Sequence, residues 1–448
     1  MSKKRIFVFC RFYVAGDFKE NLSVVGDDYE FRYLVDGEAP GTRDTRARFY
    51  AAIGLGETSP ELSAEDLDQV VTRCRLLRNI PRAKAERMAH AMALAIGEEM
   101  DDFAPDAALG HMVDDYALHL CALLAEKRGI RFCAYSYSYF PERAQLTQGW
   151  NGTPFFAREA EESEVDAVLE KIGQKLFRQD YKQVRADTFA KHARMVVRHY
   201  AKRLVFGWRA RQQNDPLNSH YGQQPFLADR KKLSDAYRRS DFASDWEKDL
   251  ARLQAEKPGK PVLYLPLGFF PEATSDYWIA NRKIIDYDNT IVEAVRQLSR
   301  DAVVLVKEHS HMVGMRGRSL YHRLAAIDGA VSIDPFAWSN VVLEAADAVV
   351  IGGGSIGVEA TIRGKPVFSF GTNSYWFKAG GAFPLDLDRP QDWAAHIERS
   401  LAEHVPLDEA GVRKFVRQCL SATARRREFT SLWPLLIEED LRALLDAA

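Results

Sequence analysis

From Lys260 to Phe370 the chain alternates short apolar runs with helical patterns, and this rhythm constrains the fold more than any other feature. Val262–Leu265, Ala302–Val306, Ala330–Ile333, Asp347–Ile351 and Val367–Phe370 read as buried strands. Helical patterns run between them over Ile284–Leu298, Leu320–Ile327, Asn340–Ala346 and Ser355–Arg363, the last ended by Gly364 and Pro366. Strands and helices at this spacing predict a parallel, doubly wound sheet. With 448 residues, the chain is too long for one core, so a second domain is expected. The turn-forming Glu256–Lys260 marks the boundary.

The amino-terminal half repeats the rhythm less clearly. Ile6–Cys10 is a short buried-strand candidate, and the loop after it, Arg11–Glu20, lacks a GxGxxG signature. Residues 63–98 read as two helices broken near Asn79–Pro81, and Ala107–Leu109 as the end of a strand. Tyr116, Leu120, Leu123 and Leu124 define a helix closed by Gly129, followed by a strand over Ile130–Tyr135. The half is therefore α/β as well.

Composition excludes several classes. The 61 Lys+Arg balance 63 Asp+Glu, which argues against a nucleic-acid partner. The five cysteines are scattered and form no CxxC, so neither a disulfide scaffold nor a zinc–cysteine site is expected. No window is apolar enough for a membrane span and no secretory signal is evident, which points to a cytoplasmic, soluble or peripherally bound protein. One segment departs from the charge balance: residues 182–239 hold 14 Lys/Arg against 4 Asp/Glu. Phe189, Ala193, Val196, Val197, Tyr200 and Leu204 form an apolar stripe there, read as packing on the protein in preference to lipid. The charge fits a solvated face or, more sharply, an anionic membrane or lipid-linked acceptor.

The strongest chemical signal is Val350–Ala360, where a strand runs into Gly352–Gly353–Gly354–Ser355 and a helix. Glycines let a ligand approach the backbone, and a helix amino terminus offers N–H groups to a phosphate. Ser355 is placed as a cap or phosphate ligand; Glu359, one turn on, suits ribose hydroxyls. The same pattern also serves as a plain β-to-α corner. No Lys-Ser/Thr follows, so this is not a Walker-type loop. A second signal, Lys307-Glu-His309-Ser-His311, sits at the carboxyl end of a strand, where open α/β sheets bind ligands. Asp114 and Asp115 begin a helix after a strand and suit either a base or nucleophile or ordinary capping. Glu272 follows the strand 262–266 as an alternative carboxylate. Arg143 suits a carboxylate on acceptor or donor, and the aromatic residues Tyr135, Tyr137, Tyr139 and Phe140 beside it suit sugar stacking.

The order Lys307-Glu-His309, Gly314-Met-Arg316, Leu320-Tyr321, Gly353-Gly-Ser-Ile-Gly-Val-Glu359-Ala360, Gly364-Lys-Pro-Val367 and Phe370-Gly371, with Phe270-Pro-Glu-Ala-Thr-Ser275 upstream, resembles the capsule polysaccharide biosynthesis and surface-carbohydrate glycosyltransferases, which include β-Kdo transferases. The resemblance covers about residues 260–376; Ser310 stands where the family usually has proline, and the amino-terminal half matches only loosely. It implies a GT-B architecture: two Rossmann-like domains facing a cleft, the donor nucleotide in the second. The expected division is 1–180 on the acceptor side, 181–255 a basic helical linker, 256–405 the nucleotide-sugar domain, and 406–448 helices packing back on the first domain.

The implied activity is transfer of Kdo or a related acidic sugar from a CMP-sugar to a growing capsule, another surface polysaccharide or a lipid-linked acceptor. No metal or other cofactor is required on this reading, and the location is cytoplasmic, peripheral on the inner face of the membrane. In that scheme Lys307, Gly353, Gly354, Ser355 and Glu359 bind nucleotide, His309 serves the leaving group, and Asp114, Asp115 or Glu272 acts across the cleft. Arg143 and Arg316 meet substrate. A same-fold transferase using a UDP-sugar or CDP-polyol, and a non-catalytic assembly subunit, remain the alternatives.

Overall fold

A computed structural model describes residues 3–173, 188–223, 226, 241–243, 245–309, 312, 316–430 and 433–448. Among these residues fifteen strands form two sheets. In chain order they are β1 (Lys4–Cys10), β2 (Tyr29–Val35), β3 (Arg43–Asp44), β4 (Ala107–His111), β5 (Arg131–Tyr137), β6 (Arg143–Gln148), β7 (Thr153–Pro154), β8 (Val262–Pro266), β9 (Val303–Lys307), β10 (Ala330–Ile333), β11 (Ala348–Ile351), β12 (Val367–Ser369), β13 (Phe383–Pro384), β14 (Thr423–Phe429) and β15 (Pro434–Leu436).

The second sheet has the order β10-β9-β8-β11-β12-β13, parallel throughout. Its inner strands β9, β8, β11 and β12 are buried on both faces, as helices on either side require. Val262, Tyr264, Val303 and Leu305 face one core, and Leu263, Leu265, Val304 and Val306 the other. The chain thus winds outward from β8 in one direction and from β11 in the other. The strand order reverses between these two, and a crevice opens beyond their carboxyl ends.

The first sheet contains the same device. Its parallel part has the order β5-β4-β1-β2-β3, so its reversal lies between β1 and β4. Side chains alternate: Phe7 and Phe9 enter one core, Ile6, Val8 and Cys10 the other. Beyond β5 the sheet turns antiparallel through β6, β14 and β15. The mixed α/β architecture with two Rossmann-like sheets is the expected fold class.

Three departures from the sequence reading concern the borders. Residues after 406 comprise a helix, two strands and a closing helix, not helices alone; β14 pairs with β6 and completes the first sheet. The helix Glu162–Gly173, read as part of the first domain, contributes Val165, Val168 and Ile172 to the core of the second. The apolar stripe of 189–204, expected to pack on the protein, is exposed at its described positions. Val197 is 67% exposed, Tyr200 41% and Leu204 76% on the helix Thr188–Gln212.

Candidate functional site at two facing crevices

The two halves are joined by arginines that sequence reading did not single out. Arg73 Nη1 donates to the carbonyls of Asp276 (2.8 Å) and Ile279 (3.1 Å). Arg75 Nε and Arg78 Nη1 lie 2.9 and 3.0 Å from the fully buried Asp276 carboxylate. The segment after β8 is thereby seated in the first half, where Ala273, Tyr277 and Trp278 join its core. His119 packs between Trp150 and Tyr277, and burial pushes its pKa down to about 3, leaving it neutral. A buried charge cluster of this kind holds only while its partners are complete.

Arg75 also ties the crevices to each other. Its Nη2 donates to the Asp114 carbonyl at 3.2 Å, and its Nη1 lies 3.5 Å from the Pro271 carbonyl. Asp114 follows β4 and Pro271 follows β8. One guanidinium therefore spans the carboxyl ends of both sheets.

At the β1/β4 crevice, three carboxylates surround the buried Arg11. Asp114 lies 2.9 Å from it, Asp115 3.2 Å and Asp36 3.7 Å. The three do not behave alike. Asp115 is 1% exposed, accepts from Leu118 N as the cap of the helix Tyr116–Lys127, and accepts from Ser219 Oγ at 2.6 Å. Both oxygens of this expected catalytic acid are thus engaged by the scaffold, where it serves as a cap. Asp36 is desolvated, and despite Arg11 its pKa is pushed up to about 7 with help from the neighbouring Asp115 and Asp114 charges. Asp114 keeps 29% of its side chain exposed. Burial raises its pKa, but Arg11 and then His111 and Arg75 outweigh that and hold it down to about 2. Of the two expected acids, Asp114 is the one that retains access to solvent.

At the β8/β11 crevice, Gly352–Ser355 forms the turn into the helix Ile356–Ile362. The glycines are needed here for a physical reason. Gly354 has φ +122°, and a Cβ at Gly371 would lie 1.6 Å from the Gly352 carbonyl oxygen, so the turn rests backbone against backbone. A Cβ built at Gly353 meets nothing within 4 Å, which leaves that position open to a ligand. The Ser355 side chain makes no capping bond to the helix. Glu359 is 7% exposed one turn into it. His309 follows β9, half-buried, its ring edge-on to Phe269 at 5.7 Å. Its backbone N–H donates to Glu308 Oε1 at 2.6 Å, which fixes the chain at that point. Glu272 is half-buried and accepts from the Thr274 hydroxyl.

Other expected ligands have buried partners within the protein. Lys307 is buried, donates to the Pro335 carbonyl at 3.0 Å, and is lowered by desolvation to about 8; its ammonium is used to join β9 to the loop after β10. Arg316 is 2% exposed. It pairs with Glu308 at 2.7 Å, donates to the Gly268 carbonyl and lies over the Tyr287 ring, so it anchors the loops after β8 and β9. Arg143 lies within β6, bonded to Thr423 Oγ1 and paired with Glu164. It fastens β14 and the helix Glu162–Gly173 to the sheet. Ser310, His311, Gly314 and Met315 lie outside the described residues. Among the described residues no group of three or more His, Cys, Asp or Glu could hold a metal ion. A depression of about 830 Å³, lined by Lys257, Lys260, Leu298 and Asp301 among others, lies at the amino ends of β8 and β9, away from both crevices.

No family model and no curated protein matches the sequence. Similar solved structures do exist. A UDP-GlcNAc 2-epimerase from Neisseria meningitidis bound to UDP-GlcNAc is 11% identical, with 94% of this chain and 97% of that chain covered at a TM-score of 0.27. The S. aureus MnaA–UDP co-structure is 13% identical, 94% of each chain being covered, with a TM-score of 0.28. Thermosulfurimonas dismutans KpsC, a beta Kdo 2,4 transferase, is 12% identical over 76% of this chain and 87% of that one, with a TM-score of 0.32. The fold assignment itself rests on the strand order and the two reversal points described above.

Proposed function

We propose that the protein is a nucleotide-sugar-dependent glycosyltransferase, with the donor at the β8/β11 crevice and the acceptor entering from the β1/β4 side. The observation that carries the reading is the Arg75 bridge, which sets the Asp114 and Pro271 carbonyls on one guanidinium. Open α/β sheets bind ligands at such reversal points, and a transferase needs two substrates brought face to face. The motif order of residues 260–376 supports a CMP-sugar donor, with Kdo or a related acidic sugar transferred to a capsule or other surface polysaccharide or its lipid-linked precursor. The enzyme would work peripherally on the cytoplasmic membrane face and need no further cofactor.

In this reading Gly353, Gly354 and Ser355 receive the donor phosphate and Glu359 the ribose. As the anomeric C–O bond breaks, its electron pair stays on the phosphate oxygen, and His309 is proposed to meet the charge that develops there. The acceptor hydroxyl forms the new C–O bond and gives up its proton. Asp114, ionised at all ordinary pH, is a weak proton acceptor; it fits stabilisation of, or attack on, the electron-poor anomeric carbon. Glu272 is the proposed proton acceptor.

Thermal unfolding with CMP, UDP and CDP-glycerol tests the donor class, because a ligand bound only by the folded chain raises the midpoint. A shift with CMP alone supports the proposal; a shift with UDP or CDP-glycerol instead moves the donor to another class. No shift with any nucleotide, confirmed by calorimetry, overturns the enzymatic reading.

A further inference from the structure

The helix Thr188–Gln212 carries seven Lys/Arg and no Asp or Glu over its 25 residues. Val197, Tyr200, Leu204 and Trp208 recur at spacings of three and four, which aligns them on one face. All four are exposed, Leu204 at 76% and Trp208 at 60%. Arg194, Arg198 and Lys202, spaced four apart, run along one side of this stripe, and Arg203 lies on the other; each is exposed. The opposite face holds the helix to the protein. Ala210 is buried, and Phe206 packs on His220 (5.2 Å) and Tyr221 (5.7 Å). Among the described residues no helix is long and apolar enough to cross a membrane.

We infer that this helix lies on an anionic lipid surface, with Val197, Leu204 and Trp208 entering the apolar boundary and the flanking cations meeting lipid phosphates. Charge decides the occupant. An apolar stripe set among cations, on a helix with no acid of its own, matches the boundary between acyl chains and anionic headgroups, and Trp and Tyr favour that depth. The anchor leads to the site. Just beyond it, Ser219 Oγ donates to Asp115, and Asn218 Nδ2 donates to the Asp36 carbonyl at 2.7 Å. His220 packs on Tyr13 at 4.5 Å. A surface bound by the helix therefore lies beside the β1/β4 crevice, where a lipid-linked acceptor would enter. The inference deepens the acceptor side of the proposed function, but it stands on exposure and charge alone.

Flotation of the full chain with vesicles of phosphatidylcholine, alone or mixed with phosphatidylglycerol, tests it. The chain floats with the mixed vesicles, floats poorly with phosphatidylcholine alone, and is released by salt. The double variant L204E/W208E loses the binding, and R194A/R198A/K202A weakens it about a hundred-fold. L55E, which changes an equally exposed apolar residue in the first domain, floats as the parent does. Circular dichroism confirms that each variant is folded. Absence of flotation with mixed vesicles at low salt overturns the inference, as does undiminished flotation of folded L204E/W208E. Nucleotide binding is measured separately, so vesicle binding can fail while the donor reading holds.

Discussion

Arg11 holds Asp114 at 2.9 Å where the first sheet reverses direction, and the same guanidinium is 3.2 Å from Asp115. Adjacent in sequence, the two acids are put to different uses: Asp115 caps the start of a helix, and Asp114 keeps part of its side chain exposed. Asp114→Asn is expected to abolish sugar transfer while leaving nucleotide affinity unchanged, because the proposed nucleotide site lies on the other sheet. Transfer assays beside calorimetry check this; an active D114N enzyme removes Asp114 from the chemistry.

The third acid around Arg11 gives a pH signature. Desolvation, the main cause, pushes the pKa of Asp36 in the folded chain up to about 7 from an ordinary 3.8. A carboxyl with a raised folded pKa holds its proton more tightly when folded, so its contribution to stability falls as pH rises from about 4 to about 7. Asp36→Asn should flatten that part of the curve of urea midpoint against pH. Asp114, held down to about 2, has the opposite sign: its contribution is present above the ordinary carboxylate pKa and is lost as pH falls towards 2.

Asp276 concentrates the junction between the halves. Its side chain is fully buried between Arg75 and Arg78. Asp276→Ala strands two guanidinium groups and should cost on the order of 3–5 kcal/mol. The loss is read as a lower denaturant midpoint, with a new early transition if the halves separate first. A variant as stable as the parent would mean that the arginine clamp does not hold the halves together.

At the proposed donor crevice, Glu359→Gln should weaken nucleotide binding with the fold intact. His309→Ala should lower kcat about a hundred-fold, far more than it raises the donor KM, if its ring acts on the leaving phosphate. Wild-type turnover by H309A at saturating donor would exclude that role.

Gly371→Ala tests the backbone packing beneath the same turn. A methyl group there collides with the Gly352 carbonyl, so the turn must move. Loss of nucleotide binding with near-native circular dichroism is the expected result, and unchanged affinity would show that the turn does not carry the ligand.

The second sheet was legible in the sequence because its strands are buried on both faces and read as unbroken apolar runs bounded by glycine and proline. The reversal between β8 and β11 is a matter of pairing order, yet Gly352–Ser355 marked one of its two edges. β14 was not legible: Thr423–Phe429 carries Arg425, Arg426 and Arg427 in succession and lacks an apolar alternation. Its place is set by pairing with β6, far away in the chain. Arg11, Arg73, Arg75 and Arg78 were missed for a related reason. An arginine is ordinarily a surface residue, and only the folded chain brings carbonyls and carboxylates from the other half around it. Arg316 and Lys307 show the reverse: a cation beside a motif reads as a ligand, and the fold adds buried partners that the sequence does not reveal.

A crystal structure of the protein soaked with CMP tests the central claim most directly. The phosphate is predicted to lie against Gly353, Gly354 and Ser355, with the ribose hydroxyls on Glu359 and the His309 ring on the phosphate side. A nucleotide bound anywhere other than the β8/β11 crevice would contradict the assignment of the donor site, and a crystal that binds none would contradict the transferase reading itself.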